Sequence, residues 1–118
     1  MTEREPYYRY YDVRYGSDDE LYGSSTRVSV ELLEFEVDKH TPRGVWIVSR
    51  FGGDRRWVGH DARKKYAHPT KELALKSFLA RKKSQIKIYR TRLTHAEHAK
   101  ASAELMLADV AQLAEHRE

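Results

Sequence analysis

Two stretches near the start of the chain alternate apolar and polar side chains in the way that is typical of β-strands. Residues 7–15 are rich in tyrosine, which favours half-buried pleated surfaces, so they predict a first strand. Residues 27–37 predict a second strand, whose apolar positions change from one face to the other near Leu32 and Leu33. That change indicates either a β-bulge there or a strand that changes faces. Residues 38–44 are then expected to form a connection.

A β-hairpin is predicted next in the chain. Residues 44–51 have the composition of a strand, and Gly52-Gly53-Asp54 supplies the glycines that a tight turn requires. Residues 55–60 form the returning strand of this prediction. Trp46 and Trp57 are expected to be neighbours across the hairpin.

A helical repeat begins after the hairpin and a short extended or helical link. Pro69 ends the preceding segment, and Thr70 is the expected N-cap. Lys82 falls on the apolar face of this helix, so its ammonium group must reach solvent or meet a partner. At about 100° per residue, one face carries the following apolar side chains: Leu75, Phe78, Leu79, Ile86, Tyr89 and Leu93.

The last third of the chain permits two interpretations. Thr94 and Glu97 have the spacing of a capping box, which favours a second helix that starts at Thr94. The heptad spacing nevertheless continues past Leu93, which leaves open a single helix of about 45 residues. In either case the alanine-rich stripe indicates packing against another helix, and a homodimer through the C-terminal helix would supply one.

These elements predict an α+β fold in a single domain over residues 1–118. An antiparallel sheet of three or four strands, over about 7–60, is expected to pack on a long helix, with a C-terminal helix or helix extension within about 70–116. The 118 residues suffice for a modest core. Cysteine is absent, so the stability must come from packing.

The charges are segregated along the chain. Residues 1–38 hold 4 Lys/Arg and 10 Asp/Glu, residues 39–92 hold 16 and 3, and residues 93–118 hold 2 and 5. The three balances of −6, +13 and −3 give the net charge of +4. The middle segment must therefore face either the chain's own acidic ends or an external polyanion.

No pattern of a catalytic or metal site is recognised. His95 and His98 lack a designated third ligand, and no activated nucleophile or phosphate-binding loop is apparent. We therefore expect a protein that is not an enzyme and needs no cofactor. The N-terminus has no apolar signal region and no segment is long enough to span a membrane, so a cytoplasmic location is expected.

Binding of nucleic acid is one interpretation of the cations. A basic hairpin beside a basic helix can hold phosphates. We refer to these cations as the basic belt: Arg50, Arg55, Arg56, Arg63, Lys64, Lys65, Lys76, Arg81, Lys83, Lys87 and Arg90. Aromatic rings could stack on unpaired bases, and the candidates are Tyr7, Tyr8, Tyr10 and Tyr11. Packing within the first strand is the alternative role of these tyrosines.

A protein partner is the other interpretation of the basic belt. The acidic second strand, with Glu31, Glu34 and Glu36, and the basic helix give one small domain a dipolar surface that suits steered association with an acidic protein surface. The acidic loop over 16–25 could also mimic phosphate.

The motifs resemble a family of small uncharacterised accessory proteins of tailed bacteriophages and prophages. The resemblance rests on the tyrosine cluster, GVWI at 44–47, and AHPTKELALKSFLARK at 67–82. Leu73 departs from the pattern, because a second acid often occupies that position. The family has no agreed activity. The resemblance implies a protein that is made during infection in the host cytoplasm and acts by binding host machinery.

A looser similarity connects the chain with the AP2-type DNA-binding domain, in which a three-stranded sheet packs on a helix introduced by T-x-E-x-A. Residues 70–74 fit that motif. The DNA-reading residues of that domain lie on its sheet, where Arg43, Arg50, Arg55 and Arg56 are expected here.

Two functional hypotheses follow. The first is a non-enzymatic phage accessory protein that binds and inhibits a host macromolecular target, such as a nucleic-acid-based defence complex. The alternative is a direct DNA- or RNA-binding module that uses the basic hairpin and helix.

Overall fold

The computed structural model describes residues 5–16 and 27–115. The acidic loop that could mimic phosphate lies almost wholly outside them. The fold belongs to the α+β class, as the sequence predicts, with four strands and one helix. Its elements are β1 (Pro6–Tyr15), β2 (Arg27–Thr41), β3 (Gly44–Ser49), β4 (Arg56–Gly59) and α1 (Lys71–Glu115).

The four strands form one antiparallel sheet in the order β1-β2-β3-β4. Strand β2 pairs with β1 along its first part and with β3 along its second, and Tyr7 lies opposite Phe35 in the first of these pairings. The hairpin is confirmed. Trp46 lies directly opposite Trp57, with ring centroids 5.3 Å apart.

In β2, the bulge near Leu32 and Leu33 and the end of the strand at residue 37 are both wrong, whereas the alternative, a strand whose apolar positions change faces, is observed. The register with β1 continues without interruption past Leu32 and Leu33, and it shifts instead between Val37 and Lys39 in the pairing with β3. The apolar positions change faces along the strand: Val28 and Val30 are about half exposed on one face, whereas Phe35 and Val37 are buried on the other. The strand also continues to Thr41, so that only the two residues 42–43 connect it to β3.

The core is built from alternate residues of the strands together with one residue of the link that follows β4. Alternation places these side chains on the same face of the sheet. The buried cluster is Tyr7, Phe35, Val37, Val45, Ile47, Val58 and Ala67, and Leu33 and Tyr66 pack against it.

The link from β4 to α1 is fixed to the first strand by its backbone. Tyr8 N–H donates to the His68 carbonyl at 2.7 Å, and His68 N–H donates to the Tyr8 carbonyl at 2.9 Å. This isolated bridge pairs part of the outer edge of β1, which would otherwise expose unpaired backbone groups. The link is otherwise irregular.

Helix α1 starts as the sequence predicts. The hydroxyl of Thr70 accepts a hydrogen bond from Leu73 N–H at 3.1 Å, which is the geometry of an N-cap. Among the helical residues, Ala74 and Phe78 are buried. The chain divides into two compact units, Met1–Ala80 and Arg81–Glu118. The first unit holds the sheet and the first turns of α1, and the second holds the remainder of the helix.

Of the two interpretations of the last third of the chain, the second helix that starts at Thr94 is wrong. The Thr94 hydroxyl donates to the carbonyl of Arg90 at 3.0 Å, one turn earlier in the same helix, instead of capping a new one. The 45 residues of α1 contain neither glycine nor proline, so nothing in the sequence forces an interruption. The single helix that the heptad spacing left open is the observed one.

Candidate binding surface

Two arginines of the basic belt form ion pairs with strand β2. Arg50 Nη1 lies 3.0 Å from Glu34 Oε2, and Arg50 Nε lies 3.7 Å from Glu36 Oε1. Arg55 Nε lies 3.0 Å from Asp38 Oδ2. The side chains are partly exposed, so each pair contributes at most about 1 kcal/mol to stability. The hairpin therefore offers less free positive charge than its sequence suggests.

A third arginine of the belt, Arg56, contacts an aromatic ring. Its guanidinium carbon lies 4.1 Å from the centroid of the Tyr66 ring, and that of Arg9 lies 4.2 Å from the same centroid. Arg9 Nη1 also donates to the Tyr66 carbonyl at 2.7 Å. Tyr66 packs edge-on against Phe35, with centroids 5.7 Å apart. Since Arg9 belongs to β1 and Arg56 to β4, Tyr66 connects the two edge strands of the sheet.

The tyrosines proposed to stack on bases have different surroundings. Tyr7 is only 8% exposed and belongs to the core. Tyr8, Tyr10 and Tyr11 are partly buried on β1. The ammonium group of Lys71 lies 5.6 Å from the centroid of the Tyr8 ring. Packing thus accounts for Tyr7, and β1 does not present the four rings together on one open surface.

A cluster around Glu31 was not found from the sequence. Tyr15 Oη and Tyr11 Oη donate to its two carboxylate oxygens at 2.8 and 2.9 Å. These hydrogen bonds, first that of Tyr15 and then that of Tyr11, lower the pKa of Glu31. They also raise the pKa of both phenols. Only the β1–β2 register, in which Tyr11 faces Glu31, brings these groups together.

The link carries three further cations of the belt. Arg63 and Lys64 are exposed, and Lys65 is half-buried. Within the residues that the structure describes, none of the three forms an ion pair. They belong to the unit Met1–Ala80.

The first helical cations of the belt have surroundings of their own. Lys76 Nζ lies 3.2 Å from Glu72 Oε1, one turn earlier. Arg81 is half-buried. Of the two alternatives for Lys82, the structure shows a partner, because its ammonium donates to Gln85 Oε1 at 2.9 Å. Gln85 Nε2 in turn donates to Tyr89 Oη at 3.0 Å.

The remaining helical cations of the belt are exposed to solvent and free to contact a partner. Lys83, Lys87 and Arg90 are exposed, and no ion pair among residues 5–16 and 27–115 involves them. Their spacing of four and three residues places them on one face of α1. We call these three side chains the helical stripe. They belong to the unit Arg81–Glu118, described up to Glu115.

Metal binding and membrane insertion are not supported by the part of the chain that the structure describes. No three His, Cys, Asp or Glu side chains there are placed to hold a metal ion. None of its helices is long and apolar enough to cross a membrane. No protein-family model, no curated protein and no solved structure matches this chain.

Proposed function

We propose that this chain is a non-enzymatic accessory protein that binds and inhibits a macromolecular target of a host cell. The contact is made by the helical stripe, and the target presents a negatively charged surface. A nucleic-acid-based defence complex is the class of target that this charge suits.

The observation that carries the proposal is the contrast between the two groups of cations. Arg50 and Arg55 are held by the carboxylates of β2. Lys83, Lys87 and Arg90 are exposed within residues 81–92, a segment with six Lys/Arg and no Asp/Glu. Like charges held this closely repel one another, so an external anionic surface would relieve the repulsion.

A direct DNA- or RNA-binding module is the second candidate. The helical stripe favours it, because Lys83 and Lys87 are about 6 Å apart along the helix axis and can contact successive phosphates. The hairpin and the tyrosines give it less support. Arg50 and Arg55 are paired, and Tyr7 is in the core. We therefore place a protein partner, or a protein–nucleic-acid complex, first.

The biological context of the proposal rests on the resemblance described above, which covers GVWI at 44–47 and the segment 67–82. A phage accessory protein of this kind would act in the host cytoplasm.

Two double variants test the role of the helical stripe. Lys83→Gln with Lys87→Gln removes two positive charges from the stripe. Ser102→Glu with Gln112→Glu changes the net charge by the same amount, at exposed helical positions at least 12 residues after Arg90. Each protein is used to capture partners from host lysate and is titrated with duplex and single-stranded DNA.

Loss of a captured host complex in the lysine variant, with retention in the control variant, supports the first candidate. Sub-micromolar DNA binding that weakens steeply between about 50 and 200 mM salt and depends on the two lysines supports the second. Equal behaviour of the two variants in both assays would reject a role for the stripe.

A further inference from the structure

A row of apolar side chains follows the second unit of α1 and is exposed to solvent. Its members recur at alternating steps of three and four residues, which is the heptad spacing of a coiled coil. We call this row the seam: Ile86, Tyr89, Leu93, Ala96, Lys100, Ala103, Leu107, Val110 and Ala114. Its five large apolar members are between 47% and 70% exposed. Lys100 is its one charged position.

The seam and the helical stripe overlap only at their border. In the heptad repeat, Lys87 lies about 130° around the helix axis from the centre of the seam, so a partner that covers the seam leaves it accessible. Lys83 and Arg90 are seven residues apart, and both lie about 80° from that centre, where they flank the seam.

The charge of this part of α1 changes sign along its length. Residues 81–92 carry six Lys/Arg and no acid, whereas residues 93–115 carry four Asp/Glu and one lysine. Two parallel helices in register would place each cationic segment beside its own copy. Two antiparallel helices place it beside the acidic segment of the partner. Helices packed at about 8–10 Å lie within the screening length at physiological salt.

We propose that a second copy of this chain docks on the seam, with the two helices antiparallel. The exposed apolar row supplies the contact area, and the reversal of charge selects the orientation. The inference stands independently of the proposed function, since it rests on the apolar seam, which the helical stripe borders only at Lys83 and Arg90.

The heptad positions also select a register. In an antiparallel pair, the two kinds of seam position face one another in alternating layers. In the register we propose, Lys100 faces the small side chain of the partner's Ala96, which leaves room for the lysine to reach solvent. The other layers join Ile86 to the partner's Val110, Tyr89 to the partner's Leu107, and Leu93 to the partner's Ala103.

The flanking residues and the seam together favour this register over its two neighbours. Arg90 lies opposite the partner's Glu104 on both sides of the pair. A shift of one heptad in one direction would instead place Glu97 opposite the partner's Glu104, and Arg90 would then face an alanine. In the proposed register Glu97 meets the partner's Glu97 at the centre, beside the lysines at 100 of both helices.

The opposite shift is disfavoured by the seam. It would place Arg90 opposite the partner's Glu97, but it would also set Lys100 against the partner's Tyr89 and Leu107 against the partner's Lys82.

Molecular mass with a matched pair of variants is the first test. We expect the protein to have twice its chain mass of 13.9 kDa in light scattering or sedimentation. Leu107→Glu in the seam should shift the mass to that of one chain with helix content retained. Leu105→Glu should remain a dimer, because Leu105 is also 70% exposed but lies off the seam. A monomeric wild-type protein, or equal effects of the two changes, would overturn the proposal.

Cysteine cross-linking tests orientation and register, since the natural chain has no cysteine. Leu93→Cys and Ala103→Cys proteins of different tag length are mixed and oxidised. We expect a disulfide between the two variants and none within either, because in this register the partner's Leu93 is about 15 Å away from Leu93 along the axis. Efficient self-cross-linking of Leu93→Cys would show either parallel helices or an antiparallel register shifted by one heptad, and would overturn the proposed arrangement.

A charge exchange tests the flanking pair. Arg90→Glu alone and Glu104→Arg alone should each weaken dimerisation by roughly three-fold to ten-fold. The double exchange should restore most of the loss, because the opposite charges again face each other. Additive losses in the double variant would overturn the register.

Discussion

The guanidinium group of Arg50 lies 3.0 Å from the carboxylate of Glu34 on the neighbouring strand. This pair shows that part of the positive charge in the middle of the chain is neutralised by ion pairs within the molecule. Arg55 pairs in the same way with Asp38. The side chains of the helical stripe form no such pair with the described residues, and they therefore make the proposed contact with an external partner.

Removing the internal partners should release the hairpin arginines. Glu34→Gln with Asp38→Asn is expected to tighten binding to a polyanionic probe such as heparin by about three-fold to ten-fold. The free energy of unfolding should fall by no more than about 1–2 kcal/mol, because the pairs are partly exposed. Asp109→Asn with Glu115→Gln is the control, with the same change in net charge at exposed helical positions. Equal gains in both variants would indicate a net-charge effect and contradict this account of the hairpin.

Gly44 is required by the close approach of β4. An added Cβ would overlap the carbonyl oxygen of Val58 and lie 2.7 Å from Trp57 Cζ2. Gly44→Ala should therefore lower the free energy of unfolding by about 1–3 kcal/mol. Gly59 is the matched position on the facing strand, where an added Cβ would come no closer than 3.5 Å to its neighbours.

Gly59→Ala is accordingly expected to be neutral or slightly stabilising. Urea unfolding of the two variants, followed by circular dichroism, makes the comparison. If Gly44→Ala were as stable as Gly59→Ala, the close packing of β3 on β4 would be incorrect.

The Tyr66 ring should contribute to stability through its contacts with both edge strands. Tyr66→Leu removes the stacking of Arg9 and Arg56 and the edge contact with Phe35, and a loss of about 2–3 kcal/mol is expected. Tyr66→Phe keeps the ring and should lose less than about 1 kcal/mol. Thermal unfolding distinguishes the two, and comparable losses would show that the ring contacts do not contribute.

Much of the fold could be predicted from local sequence patterns. Alternation located the strands, and Thr70 marked the start of the helix because capping depends on neighbouring residues. The pairing of Arg50 with Glu34 could not be predicted, since it depends on the register between two strands. The bridge between Tyr8 and His68 joins residues far apart in sequence and carries no local signal.

The C-terminal helix shows how two local signals can compete. Thr94 and Glu97 form a capping-box pattern, yet the surrounding residues favour helix on both sides. With no glycine or proline to end the helix, the hydroxyl of Thr94 bonds to the preceding turn instead. The sequence predicted that the basic belt is a cationic region, but it could not predict which of its cations stay exposed.

Acid should weaken the contribution of Glu31 to stability. Hydrogen bonds from Tyr15 and Tyr11 lower the pKa of Glu31 in the folded protein. A carboxylate with a lowered pKa stabilises the fold above its unfolded-state pKa of about 4.3, and the contribution disappears as the pH falls through the folded-state pKa. The advantage of the wild type over Glu31→Gln should therefore be present at about pH 7 and absent well below about pH 4.

The ionisation of Tyr11 and Tyr15 at alkaline pH provides a second measurement of the cluster around Glu31. Because Glu31 raises the pKa of Tyr11 and Tyr15, Glu31→Gln should lower the midpoint of tyrosine ionisation measured by ultraviolet absorbance. Tyr11→Phe with Tyr15→Phe removes these two titrations and serves as the control. An unchanged midpoint in Glu31→Gln would mean that the cluster does not form in solution.

The central claim, that the helical stripe and not the hairpin meets the negative partner, is tested most directly by side-chain NMR. Arginine Nε and lysine Nζ signals are followed while an anionic ligand, polyglutamate or a short DNA duplex, is titrated into the protein. The account predicts the largest shifts at Lys83, Lys87 and Arg90, with small shifts at Arg50 and Arg55. Dominant shifts at Arg50 and Arg55, with an unaffected stripe, would contradict it.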